Sequence, residues 1–487
     1  MVGFRIFALA STMVLLSCQV KAEVPSPEPE PVDGPSAVVY TTSVAGQRMT
    51  ESEVTLGKPE DALFYKVELT GESFQVVDGF GLAITQASCY NLLLMPPEER
   101  TAFLEEIFSR EKGIGSSLIR VCIGGSDFSM DEFTWCDRKG IENFAVHPLD
   151  EEWLFPILDE IFRINPAVKI IGSPWSCPKW MKMTENGKAD YDSWTGGRLN
   201  PAYYQDYATY FVKWIQEMER RGYPIYAVTL QNEPLNRGNS MSLYMPWEDQ
   251  RDFIKQAVGP AFRAAGIKAK ILLFDHNYNF DGIASQQDYP LHILEDEGAA
   301  QYVAGSAWHN YGGSVTTLDR VYSRFPDKEI YFTEASIGTW NYSFEGCLIN
   351  DFRDIFLGTL ARGGKGVTLW NLMLDDERKP YRPGGCSTCF GAVTLSTKDH
   401  KSLVRNSHYY NVAHASKVLL PGAVRLGTRG YETAGLTYQW YRNPDGSQAL
   451  LILNESSAEV RINFITGKYS VPCKVPAKSI QSVRWSD

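Results

Sequence analysis

The stretch Tyr226-Ala227-Val228-Thr229-Leu230-Gln231-Asn232-Glu233-Pro234 begins apolar and β-branched and ends in a polar pair followed by proline. Pro234 has no N–H for a ladder and disfavours helical geometry at Glu233, so strand pairing stops there and Asn232 and Glu233 project beyond it. A second stretch, Glu329-Ile330-Tyr331-Phe332-Thr333-Glu334-Ala335-Ser336, has the same grammar: an apolar run that meets one acid and then small residues. Parallel α/β folds keep their chemistry at the C-terminal ends of strands. Two carboxyl groups delivered there could cleave a glycosidic bond, one protonating the leaving oxygen and the other attacking the anomeric carbon. Either acid alone would also suit a helix cap, because carboxylates favour helix N-termini.

The elements that must position these acids repeat one pattern between residues 79 and 373, a short apolar strand, a loop and an amphipathic helix. Strands are expected at 79–85, 117–124, 168–174, 226–232, 271–275, 303–308, 329–333 and 366–370. Helices are expected at 97–110, 203–221 and 247–265, each with apolar side chains at helical spacing. Eight parallel strands with crossover helices close as a (β/α)8 TIM barrel. The catalytic barrel is expected over 79–418, with Glu233 and Glu334 at the tips of its fourth and seventh strands. After a last helix at 406–419 the texture changes to short alternating strands at 436–442, 448–454, 460–465, 469–475 and 479–484, with a hairpin turn at Asn443-Pro444-Asp445-Gly446. Residues 419–487 are therefore expected to form an appended β-sandwich, completed by N-terminal strands from 38–78. No linker separates it from the barrel, so the two should pack rigidly.

The N-terminus carries Arg5, an apolar run over 6–16 and then Leu15-Leu16-Ser17-Cys18. The run is too short to span a membrane stably and reads as a signal peptide over 1–18. Leucines and a small residue before a cysteine resemble a bacterial lipobox, which would leave Cys18 lipidated, although a cut near Ala22 also fits. Residues 19–37 alternate proline with acids and read as a stiff solvated tether. The expectation is an exported lipoprotein held at a cell surface, with membrane contact only through its N-terminal anchor.

The chain has 487 residues and a net charge of −11, from 47 basic and 58 acidic side chains, so it lacks the basic footprint of a nucleic-acid binder. Aromatic residues reach 13% of the chain, a supply of rings on which sugar faces can stack. Most of them will simply be core. With Cys18 set aside, the remaining cysteines are Cys89, Cys122, Cys136, Cys177, Cys347, Cys386, Cys389 and Cys473, and their pairing is not readable from spacing. Cys386-Ser387-Thr388-Cys389 has no second CxxC or His pair beside it, so a loop disulfide or free thiols are expected and no metal or cofactor.

With these pieces placed, the chain resembles glycoside hydrolase family 30. The motifs are Gly79-Phe80-Gly81, Ile119-Arg120-Val121 with Ser126-Asp127-Phe128-Ser129, Gly172-Ser173-Pro174-Trp175 with Pro178-Lys179-Trp180-Met181-Lys182, Gln231-Asn232-Glu233-Pro234, Trp308-His309-Asn310-Tyr311, Phe332-Thr333-Glu334-Ala335 and Leu369-Trp370-Asn371. The resemblance implies a retaining mechanism with Glu233 as general acid/base and Glu334 as nucleophile. Asn232 would hold the sugar 2-hydroxyl. Arg120 and Tyr311 would keep Glu334 ionised, and Glu334 in turn would keep Glu233 partly protonated. The resemblance further implies that Asp127 and Trp175 grip the outer hydroxyls, that Trp370 forms a platform under the sugar and that His309 orients neighbouring acids. Without it, Arg120 fits an interior ion pair, His309 a satisfied core histidine and Trp308 or Trp180 plain core. The expected substrate is a β-glucan, foremost an endo-cleaved β-1,6-glucan. An exo-acting β-glucosidase, glucosylceramidase-like or β-xylosidase activity is the alternative, and a non-catalytic glycan binder a remote one. Loops at 184–199, 235–246 and 381–390 are expected to shape the leaving-group side.

Overall fold

The computed structural model describes residues 35–486 apart from 63, 64, 190, 240, 280 and 281. The expected signal segment, Cys18 and nearly all of the tether lie outside the described residues.

Eight strands, Gly79–Leu82, Leu118–Cys122, Lys169–Ser173, Ile225–Thr229, Lys270–Asn277, Val303–His309, Glu329–Glu334 and Gly364–Leu369, lie side by side in chain order, each parallel to its neighbours. The ring closes between the first and second strands, where Ala83 bridges Arg120 and the Ile84 N–H donates to the Arg120 carbonyl at 2.8 Å. Gly81 permits that approach, since a Cβ there would sit 1.8 Å from the Leu118 carbonyl oxygen. The architecture is the expected TIM barrel with its β-sandwich. One shift in a strand end matters for the site: the fourth strand stops at Thr229, three residues before the expected end, which leaves Asn232 and Glu233 in the loop beyond it.

Leu118, Ile171, Ala227, Leu272, Ala307 and Tyr331 fill the barrel interior as one apolar cluster. Below it an ionic plug seals the N-terminal end, where Asp78 accepts from Lys169 Nζ and Tyr331 OH, both at 2.6 Å, and Glu329 is held by Lys270 and Lys365, both at 2.7 Å. Outside run the helices, among them Pro97–Phe108 and Tyr204–Arg220, the second burying Tyr207, Phe211, Trp214 and Met218 along one face. The helix expected at 247–265 is present as Trp247–Phe253 and Gly259–Ala265 joined by a π-helical turn at Ile254–Val258. Pro260, which cannot donate to an α-helical ladder, accounts for that widening.

The sandwich is built from one nine-stranded sheet that combines Ser36–Ser43, Thr50–Thr55 and Tyr65–Val76 with Val424–Gly430, Leu436–Arg442, Gln448–Asn454, Val460–Ile465, Ser470–Val475 and Ser479–Trp485. Val424–Gly430 was not among the expected strands, because Gly427 and Gly430 interrupt its alternation. It pairs antiparallel with Tyr65–Val76 and so ties the N-terminal segment into the sheet. Trp440, Leu450, Ile452, Phe464, Val483 and Trp485 make the sandwich core.

The almost wholly buried helix Ser407–Val418 joins the two domains and packs on Ser479–Trp485. His414 lies in this joint, with Nδ1 2.6 Å from Ser482 Oγ, while that hydroxyl donates to the His414 carbonyl at 2.9 Å. The serine proton being committed, the ring donates from Nδ1, and Nε2 is left buried without a partner. Burial holds the imidazole neutral and brings its pKa down to about 3 from 6.5. The unfolded chain takes up this proton near pH 6.5 and the folded chain only near 3, so folding stability drains away as pH falls through that window. We expect the melting temperature to drop between pH 6.5 and 4, and to drop less steeply in a His414→Gln variant. Parallel curves for the two proteins would contradict the buried neutral state.

Candidate active site

The loop after the fourth strand is pinned by its backbone. Asn232 N–H donates to the Pro174 carbonyl at 2.8 Å and Glu233 N–H to the Asp275 carbonyl at 2.9 Å, so both residues hang between the neighbouring third and fifth strands. Glu233 has φ +47°, a left-handed conformation that costs a non-glycine residue energy and persists because these bonds hold it. The fifth strand bulges between Phe274 and His276, where Phe274 and Asp275 have φ +76° and +67°. The bulge re-aims Asp275 into the barrel and places His276 against Glu233. Glu334, the last residue of the seventh strand, follows a register shift of its own: Trp308 pairs with Phe332 and His309 with Glu334, so Thr333 is the extra residue.

Arg120, fully buried, stands at the centre. Its Nη1 donates to Glu334 Oε2 at 2.5 Å, Nη2 to Asn232 Oδ1 at 2.7 Å and to Asp275 Oδ2 at 2.8 Å, and Nε to Ser173 Oγ at 3.1 Å. Tyr311 OH donates to the other Glu334 oxygen at 3.0 Å. Asp275 is further held by Thr229 and Thr333 hydroxyls and by His309 Nε2, at 2.7, 2.6 and 3.0 Å. His309 Nδ1 faces Glu233 Oε1 at 3.5 Å and His276 Nδ1 faces it at 3.9 Å, while Asn236 Nδ2 donates to Glu233 Oε2 at 2.8 Å.

The proton distribution differs from the expectation. Burial by itself would raise Glu233, but the hydrogen bond and charge of His309 and the field of His276 overcome it and bring the carboxyl down to about 2. His309 is correspondingly raised to about 9: burial opposes its charge, and Glu334, Asp275 and Glu233 restore it. Glu334 is shifted up, chiefly by burial and also by Glu233, with His309 and Arg120 only partly compensating. These directions favour a carboxylate at Glu233 and a charged imidazole at His309 in the resting site, the opposite of a Glu233 kept protonated by repulsion from Glu334. The reading from sequence missed this because it did not single out His276 or Asp275. Their signal was there in Phe274-Asp275-His276-Asn277, a strand end of the same grammar as the two glutamate strands.

Asp127, Glu233, His276, Tyr311, Glu334 and Trp370 line a cavity of about 400 Å³. Trp175 and Trp370 stack at a tilt, ring centroids 5.0 Å apart, and the Arg120 guanidinium lies 4.9 Å from the Trp175 ring centre. Trp175 Nε1 is buried without a partner, and burial beside Glu334 and Glu233 raises Asp127 well above the usual carboxyl range. Every barrel residue singled out from sequence, Arg120, Asp127, Trp175, Asn232, Glu233, His309, Tyr311, Glu334 and Trp370, converges here. Asp127 and the Trp370 ring both line the cavity, with Trp175 packed behind the platform, and together make a socket for a hydroxylated ring.

Of the loops expected around the mouth, 235–246 contributes Asn236 and Asn239 and 381–390 contributes Cys386, Thr388 and Cys389, but no described residue of 184–199 lines the cavity. Lys182 draws that loop down instead, its Nζ donating to the carbonyls of Ser193, Trp194, Gly196 and Ser242 at 2.9–3.1 Å. The rim gains an unexpected member in Trp340, 51% exposed, from the loop after the seventh strand. Cys386 and Cys389 form a disulfide, which decides between the alternatives left open above. Cys389-Phe390 pairs antiparallel with Ile337-Gly338, so the disulfide loop braces the segment that carries Trp340.

Residues 77–419 match the Glycosyl hydrolase family 30 TIM-barrel domain and 422–483 the family 30 beta sandwich domain. The chain is 30% identical to endo-1,6-beta-D-glucanase BGN16.3 of Trichoderma harzianum, with 94% of this chain and 95% of that one aligned. It is 28% identical to lysosomal acid glucosylceramidase of Mus musculus, over 81% and 78% of the two chains. Among solved structures it superposes on the endo-beta1,6-glucanase BT3312 with a TM-score of 0.90 and 50% identity, covering 93% of this chain and all of that one. A carboxyl group in the loop beyond strand four, another at the end of strand seven on a buried arginine, and both matched domains carry one conclusion: the chain belongs to glycoside hydrolase family 30.

Proposed function

We propose that the protein is a retaining endo-β-1,6-glucanase. The observation that carries the chemistry is Glu233 and Glu334 facing one cavity, each locked by a different set of partners. The 50% identity to an endo-beta1,6-glucanase over nearly the whole chain supports the linkage.

A glucosyl ring would lie on Trp370, with its outer hydroxyls on Asp127 and Trp175 Nε1. Asn232 has its oxygen engaged by Arg120, so its amide NH2 remains for the 2-hydroxyl. Arg120 and Tyr311 aim Glu334 at the anomeric carbon. Its oxygen forms the C1–O bond as the C1–O6 bond breaks, and the departing O6 takes a proton from Glu233. Water, deprotonated by Glu233, then attacks C1, releases the sugar with its configuration retained and frees Glu334. The proton reaches Glu233 from His309 Nδ1: a bound sugar displaces water from the cavity, and a drier site favours the neutral acid and neutral imidazole over the ion pair. His309 keeps its other N–H on Asp275 throughout, which fixes the tautomer.

Linear β-1,6-glucan should yield oligosaccharides of several lengths early in digestion, while β-1,3-glucan and β-1,4-xylan stay intact. Release of glucose alone, or cleavage confined to a glucosyl lipid, would replace the endo-glucanase reading with an exo-acting one. Glu233→Gln should slow glucan hydrolysis roughly 10²- to 10⁴-fold, yet spare formation of the glycosyl-enzyme from an aryl glucoside whose phenolate leaves without a proton. Glu334→Gln should abolish both; equal effects of the two substitutions on both substrates would refute the assignment of roles. The lipobox supports anchoring, so Cys18→Ser should move the protein from the membrane fraction to the soluble one, and unchanged fractionation would argue for an ordinary cleaved leader.

A further inference from the structure

We propose that Glu233, His276 and His309 form an inhibitory binding site for a borderline transition-metal dication such as Zn²⁺ or Cu²⁺. The three side chains come from separate places in the chain, the loop after the fourth strand and the ends of the fifth and sixth. They present one carboxylate oxygen and two imidazole nitrogens that all lie within 4.8 Å of one another, and all three are buried. Of the two approaches to Glu233 Oε1, 3.5 Å from His309 Nδ1 matches the edge of a tetrahedron whose centre lies about 2.0–2.2 Å from each ligand, and 3.9 Å from His276 Nδ1 is somewhat longer. A metal would shorten the longer of these two edges by about half an ångström and draw in the two imidazole nitrogens, which lie within 4.8 Å of each other.

Three further features favour a metal. His309 Nε2 is paired with Asp275 Oδ1 at 3.0 Å, the carboxylate–histidine arrangement that orients a ligating imidazole and turns the opposite nitrogen, once its proton is released, toward the ion. That opposite nitrogen, Nδ1, is buried and makes no hydrogen bond of normal geometry. Glu233 and His276 line the cavity, which supplies both an entry path and an open fourth position for water. Four carboxyl groups, Asp127, Glu233, Asp275 and Glu334, share this floor with Arg120, and an incoming dication would displace the proton that Glu233 and His309 share. Two imidazoles and one carboxylate suit Zn²⁺ or Cu²⁺ and do not suit Ca²⁺ or Mg²⁺, which take oxygen ligands. A bound ion would occupy the Glu233 oxygen and the His309 nitrogen between which the proton must pass, so occupancy and hydrolysis exclude each other.

The test is calorimetric titration of untagged full-length protein with Zn²⁺, and separately with Mg²⁺. One Zn²⁺ per chain is expected, with Mg²⁺ silent, and Co²⁺ in the same site should give the intense visible absorption of a tetrahedral complex. His276→Asn and Glu233→Gln should each weaken Zn²⁺ binding at least ~10-fold, the loss that follows even from removing an outer partner. Glucan hydrolysis by the unsubstituted protein should fall in step with occupancy and return with EDTA. Absence of saturable Zn²⁺ binding, or binding unchanged in both substituted proteins when circular dichroism shows them folded, would overturn the proposal. The binding and absorption readouts need no turnover, so they stand apart from the hydrolase reading.

Discussion

The site depends on one buried cation. Arg120 contributes no chemistry of its own, yet its planar fork spends every direction on a different strand: Ser173 on the third, Asn232 beyond the fourth, Asp275 on the fifth and Glu334 on the seventh. A guanidinium taken out of water must be paired, and removal of one partner from such a pair costs about 3–5 kcal/mol. That penalty ties the spacing of four strands to one point and keeps Glu334 and Asn232 in fixed relation before any sugar arrives. The same tie crosses the seam where the barrel closes, since the Arg120 backbone bridges the first strand while its side chain reaches the seventh.

Around that point the two acids receive opposite treatment. Glu334 meets a permanent cation and a phenol, groups that hold it in place without exchanging protons with it. Glu233 meets two imidazoles, which can exchange protons with it, and an amide that only donates a hydrogen bond. Two chemically identical carboxyl groups are thus separated by what faces them. The separation is maintained by backbone conformations that side chains rarely adopt, at Glu233 and at the Phe274-Asp275 bulge, both held in place by hydrogen bonds to neighbouring strands.

The rim is built separately from the floor: Asn236, Asn239, Trp340 and the Cys386–Cys389 loop line the mouth of the cavity beside the two acids. The disulfide and the short pairing of Cys389-Phe390 with Ile337-Gly338 make two of these loops one unit. An exposed tryptophan held on a braced segment is a stiff surface for a sugar face and loses little entropy when one docks.

Several things were legible in the chain alone. Strand-terminating motifs are local: Gln231-Asn232-Glu233-Pro234 and Phe332-Thr333-Glu334-Ala335 announce both acids because a proline or a run of small residues ends a strand wherever it folds. The count of barrel strands followed from the same local periodicity, as did the change to alternating strands after 419. What tertiary structure decided are relations between residues far apart in sequence. Val424–Gly430 became a strand because Tyr65–Val76 paired with it, against its own glycines. Cys386 found Cys389, and Trp340 reached the rim, through a pairing of two loops. The proton went to His309 because a bulge 34 residues earlier in the chain turned Asp275 and His276 inward. Proton affinity is set by the charges and dipoles within a few ångströms, and only the closed barrel determines which those are.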